Sequence, residues 1–143
     1  VELQTGNPDL PAIPLKGNLD RLDFDETGNL LQVVDYKTGK SKSRTVIEGN
    51  TQSSDGAYKR QLTFYALLLD LYDDERYCCR TGVLSFVESA AAGTLKQESF
   101  TITDQEVATL KQEIIAAATA LADGSWVTQT CDPAVCDYCH LLD

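Results

Sequence analysis

Apolar positions in this chain alternate in some stretches and recur every three or four residues in others, and that change of rhythm predicts its elements. Residues 1–14 contain Pro8, Pro11 and Pro14 and are expected to form an extended or looping lead-in. From Leu15 to Phe24, Leu15, Leu19, Leu22 and Phe24 recur among polar residues, predicting a strand of imperfect alternation. Asp25-Glu26-Thr27-Gly28-Asn29 reads as a turn, and Leu30–Tyr36 (LLQVVDY) as a second strand, so the two should form a hairpin. Gly39 to Gly56 is polar throughout and is expected to be a long, mobile loop, of the kind that is usually functional or disordered.

Ala57–Tyr72 then predicts a helix, with Leu62, Tyr65, Ala66, Leu69 and Tyr72 as its apolar stripe. Thr81–Val87 and Lys96–Ile102 read as two further strands. A second helix should run from Val107 to Ala122: Thr103 and Glu106 fit a capping box, Asp104 suits the first turn, and Gly124 lies just past the end. No repeat is present. The order β-β-α-β-β-α predicts an α/β (α+β) domain, a central mixed sheet flanked by helices. At 143 residues this is one domain, 1–143, with a cysteine-containing tail from 125 to 143.

Composition changes the picture in three places. A hydrophobic fraction of 43% fits a globular protein, and no apolar run reaches membrane-spanning length. No signal-peptide pattern opens the chain, and an odd cysteine count argues against a disulfide scaffold, so a reducing, cytoplasmic setting is expected. The chain opens on Val and stops just after a cysteine cluster, which suggests a piece of a longer protein. A net charge of −10 argues against a nucleic-acid partner, but the distribution reverses that reading. Between Tyr36 and Arg60 lie Lys37, Lys40, Lys42, Arg44, Lys59 and Arg60 against only Glu48 and Asp55. A basic stretch on an acidic body can contact a phosphate backbone, although an isolated stretch like this is more often a solvated charged loop.

The candidate chemistry sits in the hairpin. Asp20 on the first strand and Asp35 at the end of the second can be brought together, and two neighbouring carboxylates repel unless a cation neutralises them. Mg²⁺ (or Mn²⁺) prefers oxygen ligands and keeps several waters, so two carboxylates plus a substrate phosphate form a natural site. Lys37, two residues beyond Asp35 on the same strand face, could orient an attacking water and stabilise charge developing at phosphorus. A lone D-x-K is weak, since about 0.4 such triplets are expected by chance in a chain this long. Gln61 and Tyr65 lie one helical turn apart on one face, where they could equally be a surface Gln beside a core Tyr.

Three segments taken together carry a resemblance: G-N-L-D-R (17–21), V-V-D-Y-K-T-G (33–39) and Y-K-R-Q-L-T-F-Y (58–65), followed by the terminal cysteines. The sequence resembles the RecB-like branch of the PD-(D/E)XK nucleases, as found at the C-termini of UvrD-type helicases and in AddB-type subunits. The resemblance implies a restriction-endonuclease-like core and hydrolysis of DNA phosphodiesters, with a helicase in the same chain or complex and a role in DNA repair or recombination. It implies Asp20 and Asp35 as metal ligands, the backbone carbonyl of Tyr36 as a third, and Lys37 as the catalytic lysine. Gln61 and Tyr65 would form the Q-x-x-x-Y element that supports the active site and the DNA strand. Family members usually place a helix, often with a further metal ligand, before the first strand; with the strand expected from Leu15, these residues are expected to lack that helix.

Cys131, Cys136 and Cys139 form a C-x4-C-x2-C cluster with His140 beside it. Relatives often hold an iron–sulfur cluster with three such terminal cysteines and one upstream, so the resemblance implies a 4Fe-4S cluster in the full-length protein. Zinc on the three cysteines and His140 is an alternative, as are simple reduced thiols. Cys78 and Cys79 read as structural. Trp126 and Tyr138 could stack on bases, but packing of the tail against the second helix is the simpler expectation. Three functions follow: a metal-dependent nuclease, a catalytically silent nuclease fold for DNA binding or subunit docking, or a small metal-stabilised interaction module.

Overall fold

The computed structural model describes residues 1–73, 76–88 and 96–128. A short ribbon, β1 (Glu2–Leu3) against β2 (Ile13–Pro14), forms the lead-in. After Leu15, which exchanges backbone hydrogen bonds with Val1 (2.9 and 3.1 Å), the chain runs past the main core without strand pairing until β3 (Arg21–Phe24). The strand expected from Leu15 is therefore shorter, and the reason is visible at Gly17. A Cβ there would lie 2.6 Å from Leu68, so this segment is pressed against a helix while Leu15 and Leu19 pack on the core. Irregular alternation was the mark of a segment bound by packing rather than by a ladder. Asp20 consequently stands immediately before β3, not within it.

The turn after β3 is closed by one side chain. Asp25 accepts hydrogen bonds from the backbone N–H groups of Thr27 and Asn29 (2.9 Å each) and from both their side chains, which holds its carboxyl down at about 2. Gly28 supplies the left-handed backbone, φ +87°, that such a turn requires. Strand β4 (Leu30–Lys40) returns antiparallel to β3 and continues past Tyr36, because β5 (Thr81–Glu88) pairs with it in parallel as far as Lys40. β6 (Lys96–Thr101) pairs antiparallel to β5, giving the order β3-β4-β5-β6. The sheet is mixed, as expected. In the central strand β5, Gly82 through Phe86 are all buried, an unbroken run typical of a strand covered on both faces.

The segment that follows β4 is not the featureless loop expected over 39–56. It contains a turn of helix, α1 (Arg44–Ile47), whose Ile47 is fully buried and whose Arg44 guanidinium lies 4.3 Å from the Phe100 ring. The polar composition of 39–56 concealed this anchor, since one buried isoleucine suffices to fix the segment. Gly49 and Gly56 then meet closely: a Cβ on Gly49 would stand 2.8 Å from the Gly56 nitrogen. Gly56 begins α2 (Ala57–Asp70), and Asp55 accepts from the Ala57 N–H at 3.1 Å. The helix buries Leu62, Thr63 and Tyr65 through Leu69, more than one stripe, and Leu62 sits directly over Gly82 of β5.

Helix α3 (Asp104–Asp123) has the expected capping box between Thr103 and Glu106, and Gly124 ends it at φ +76°. Val107 and Leu110 join Phe100 and Ile102 in the core. Arg80 ties α2 to α3, gripping both oxygens of Asp70 (2.8 and 2.9 Å) and reaching Asp104 (2.7 Å). Trp126 stands on the 3₁₀ turn after α3 (Ser125–Thr128) and is exposed. No described helix is long and apolar enough to cross a membrane.

Candidate active site

Strand β4 and helix α2 bring four of the expected residues together. Asp35 is buried (3% exposed) near the middle of β4, paired with Leu84 on β5. Its Oδ1 accepts from Gln61 Nε2 (3.1 Å) and from the Tyr65 hydroxyl (3.0 Å). Gln61 Nε2 also donates to the Tyr65 oxygen at 2.7 Å, and Gln61 Oε1 accepts from Lys37 Nζ at 2.5 Å. Every polar atom of Gln61 is thus occupied. The one-turn spacing of Gln61 and Tyr65 on α2 lets both side chains reach the same oxygen. Burial, with the hydroxyl's hydrogen bond to Asp35, pushes Tyr65 up to about 12. The phenol stays protonated across the useful pH range, donating to Asp35 while its oxygen accepts from Gln61.

The other oxygen of Asp35 is placed differently. Asp35 Oδ2 lies 2.6 Å from Lys37 Nζ, an ion-pair distance, yet it is buried without hydrogen-bond geometry to any partner. The distance governs the electrostatics, because Coulomb attraction has no directional requirement. The missing direction governs the chemistry, because the oxygen keeps lone pairs for a further cation. Asp20 stands alongside: the Tyr36 N–H donates to its Oδ2 at 2.9 Å, and its charge adds a smaller push to that of Asp35 in raising Tyr65. Asp20 is exposed while Asp35 is buried, so one carboxylate faces solvent and the other is fixed by the fold.

These residues fit a hard divalent cation. Two carboxylates, one with an unsatisfied buried oxygen, offer oxygen ligands alone, and Mg²⁺ or Mn²⁺ completes such a set with water and substrate. Among the described residues no group of three or more His, Cys, Asp or Glu is placed to hold a metal, so the side chains offered here are the two carboxylates Asp20 and Asp35.

Lys37 has a third neighbour that the sequence reading did not single out. Its ammonium lies 5.0 Å from the centre of the Tyr58 ring. Tyr58 is three residues before Gln61 and so shares its helix face; that spacing was the available signal. Arg21 was also passed over as an individual side chain; it donates to the Tyr36 hydroxyl at 3.2 Å and pairs with Asp23 at 2.6 Å.

The basic residues separate into two groups. Arg44 pairs with Glu48 (3.0 Å) and Glu98 (3.7 Å), and Lys59 with Glu106 (3.2 Å) and the Thr101 carbonyl (2.6 Å). Arg60 pairs with Asp55 at 2.9 Å but remains half exposed. Lys40 and Lys42 are exposed at the end of β4 and just beyond it, with no side-chain partner among the described residues. Cys131, Cys136, Cys139, His140 and Tyr138 lie outside the described residues. Cys78 is exposed; Cys79 is buried, which raises its thiol, and its Sγ donates to the Thr81 carbonyl.

The family model of the PD-(D/E)XK nuclease superfamily matches residues 1–143. No match is found among curated proteins or among solved structures.

Proposed function

This chain belongs to the PD-(D/E)XK nuclease superfamily, and from that premise we propose that it is a divalent-cation-dependent deoxyribonuclease of the RecB-like type. Asp20 and Asp35, with the Tyr36 carbonyl, would hold Mg²⁺ or Mn²⁺, which when bound supplies Lewis-acid stabilisation of the phosphate. The chain's own residues do the rest. Gln61 and Tyr65 fix Asp35 by their bonds to Oδ1, so that Oδ2 alone faces the reacting side. Lys37 keeps a positive charge beside that oxygen, where it can hold a water for in-line attack and offset charge developing at phosphorus. Lys40, Lys42 and half-exposed Arg60 are the candidates for backbone phosphates, with Arg44 and Lys59 able to contribute only by leaving their intramolecular partners.

The observation that carries this reading is Asp35: a buried carboxylate with one oxygen accepting two hydrogen bonds from the fold and the other turned, without a hydrogen bond, toward a lysine. A silent module for DNA binding or docking has no use for that arrangement, and an interaction module built on the cysteines leaves it unexplained. We further propose a helicase in the same chain or complex, a role in repair or recombination, exonuclease action on the DNA so delivered, a cytoplasmic location, and a 4Fe-4S cluster on Cys131, Cys136 and Cys139 in the full-length protein. The test is cleavage of labelled single- and double-stranded DNA in Mg²⁺, Mn²⁺ or EDTA. Cleavage that needs metal and falls at least 100-fold in Lys37→Ala, on the order of 3 kcal/mol of transition-state stabilisation, is the expected result. DNA binding without cleavage under every condition would favour the silent module instead.

A further inference from the structure

Three partners surround the Lys37 ammonium: Asp35 Oδ2 at 2.6 Å, Gln61 Oε1 at 2.5 Å and the face of the Tyr58 ring at 5.0 Å. The first of these is also the buried oxygen left for a metal ligand. A lysine and a divalent cation cannot both sit tightly on one carboxylate oxygen, because at such separations, away from bulk water, like charges repel by far more than thermal energy. A metal that takes Asp35 Oδ2 therefore displaces the ammonium, yet the reaction needs that ammonium nearby. We propose that Tyr58 is a positioning residue for Lys37: the face of its ring holds the ammonium beside the site once a divalent cation has taken Asp35 Oδ2. The inference rests on the metal site of the nuclease reading and deepens it.

The two neutral partners are suited to different parts of this exchange. Gln61 offers a single oxygen, and its amide nitrogen is committed to Asp35 and Tyr65, so it cannot follow a moving charge. An aromatic face attracts a cation over an area rather than at a point, so the ammonium can shift without losing it. Tyr58 is itself held in place. Its ring meets fully buried Phe86 edge-on, with centroids 6.4 Å apart and planes at 80°, and it sits on the first turn of α2. Its hydroxyl makes no hydrogen bond among the described residues, which points to the ring as the useful part. A leucine would fill much of the same space against Phe86 without offering the ammonium anything.

The test compares Tyr58→Phe with Tyr58→Leu in the whole chain, reading Mn²⁺ affinity by titration calorimetry and kcat and KM of DNA cleavage separately. Tyr58→Phe should stay within about twofold of the wild type in all three. Tyr58→Leu should lose on the order of tenfold in kcat with KM unchanged, and Mn²⁺ should bind several-fold more weakly. The weaker binding follows because the displaced ammonium has lost its alternative seat and competes for Asp35. In a Lys37→Met background, Tyr58→Leu should no longer alter Mn²⁺ affinity. A purely structural role for Tyr58 would lower the fraction folded without this dependence on Lys37. Equal behaviour of the Phe and Leu variants, or a Tyr58→Leu effect on Mn²⁺ that persists without Lys37, would overturn the inference while leaving the nuclease reading intact. Coupled Mn²⁺ binding in a chain that cleaves no DNA would do the reverse. Absence of Mn²⁺ binding by the wild type would overturn both.

Discussion

Replacing Tyr65 by Phe removes one oxygen from the hydrogen-bonded cluster of Asp35, Gln61 and Tyr65. The ring is 5% exposed and would stay where it is, so almost no apolar burial is lost. What disappears is the hydroxyl that donates to Asp35 Oδ1 at 3.0 Å and accepts from Gln61 Nε2 at 2.7 Å. A hydrogen bond to a charged group contributes about 1.5–3 kcal/mol, and Asp35 is left with Gln61 as its one remaining donor at Oδ1. The chain should therefore lose about 2 kcal/mol of stability at neutral pH, a fall in Tm of about 6 °C for a domain of this size. Urea denaturation measures it. Because Tyr65 remains protonated to about pH 12, the loss should be constant between pH 6 and 9. The decisive comparison is the same substitution made in Asp35→Asn, where the acceptor is neutral and the loss should shrink to below about 1 kcal/mol. An undiminished loss in that background would mean that Tyr65 acts through packing and that the proposed fixing of Asp35 is wrong. Cleavage should also slow on the order of tenfold, since an Asp35 held at one point can turn away from its working position.

Two further outcomes follow from other parts of the fold. Gly49→Ala places a Cβ 2.8 Å from the Gly56 nitrogen at a backbone φ of +77°, so neither neighbour nor backbone can yield cheaply; a loss of about 2–3 kcal/mol in urea unfolding is expected, and a loss under 0.5 kcal/mol would show that the two glycines are not in contact. At Glu106, burial raises the carboxyl, but the Thr103 N–H and hydroxyl together with Lys59 outweigh it and leave the group below its usual value. A carboxyl depressed by folding stabilises fully above its unfolded value, roughly 4.3, and ceases to as pH falls through the folded value. The stability gap between wild type and Glu106→Gln should thus be widest above about pH 5 and close in more acid solution; a gap independent of pH would refute that account.

Local rules carried much of this protein. The 3- and 4-residue spacing of α2, the capping box and terminal glycine of α3, and the turn at Asp25–Asn29 are all short-range effects, so the sequence alone determined them. The same holds for the pairing of Gln61 with Tyr65 and for the same-face relation of Asp35 with Lys37, which follow from the periods of a helix and a strand. The tertiary structure decided what those periods do not contain. It shortened the first strand, because contact between Gly17 and Leu68 keeps 15–19 from pairing with β4, and it lengthened the second, because β5 is there to pair with it. It set Arg44 beside Glu98 and Lys59 beside Glu106, carboxylates on distant segments that no local count of charge could foresee. It also set Tyr58 over Lys37 and left one oxygen of Asp35 without a hydrogen bond, since both depend on how closely α2 approaches β4. Spacing along a chain states which groups can share a face; only the packing of one element on another states which atoms of those groups remain free to act.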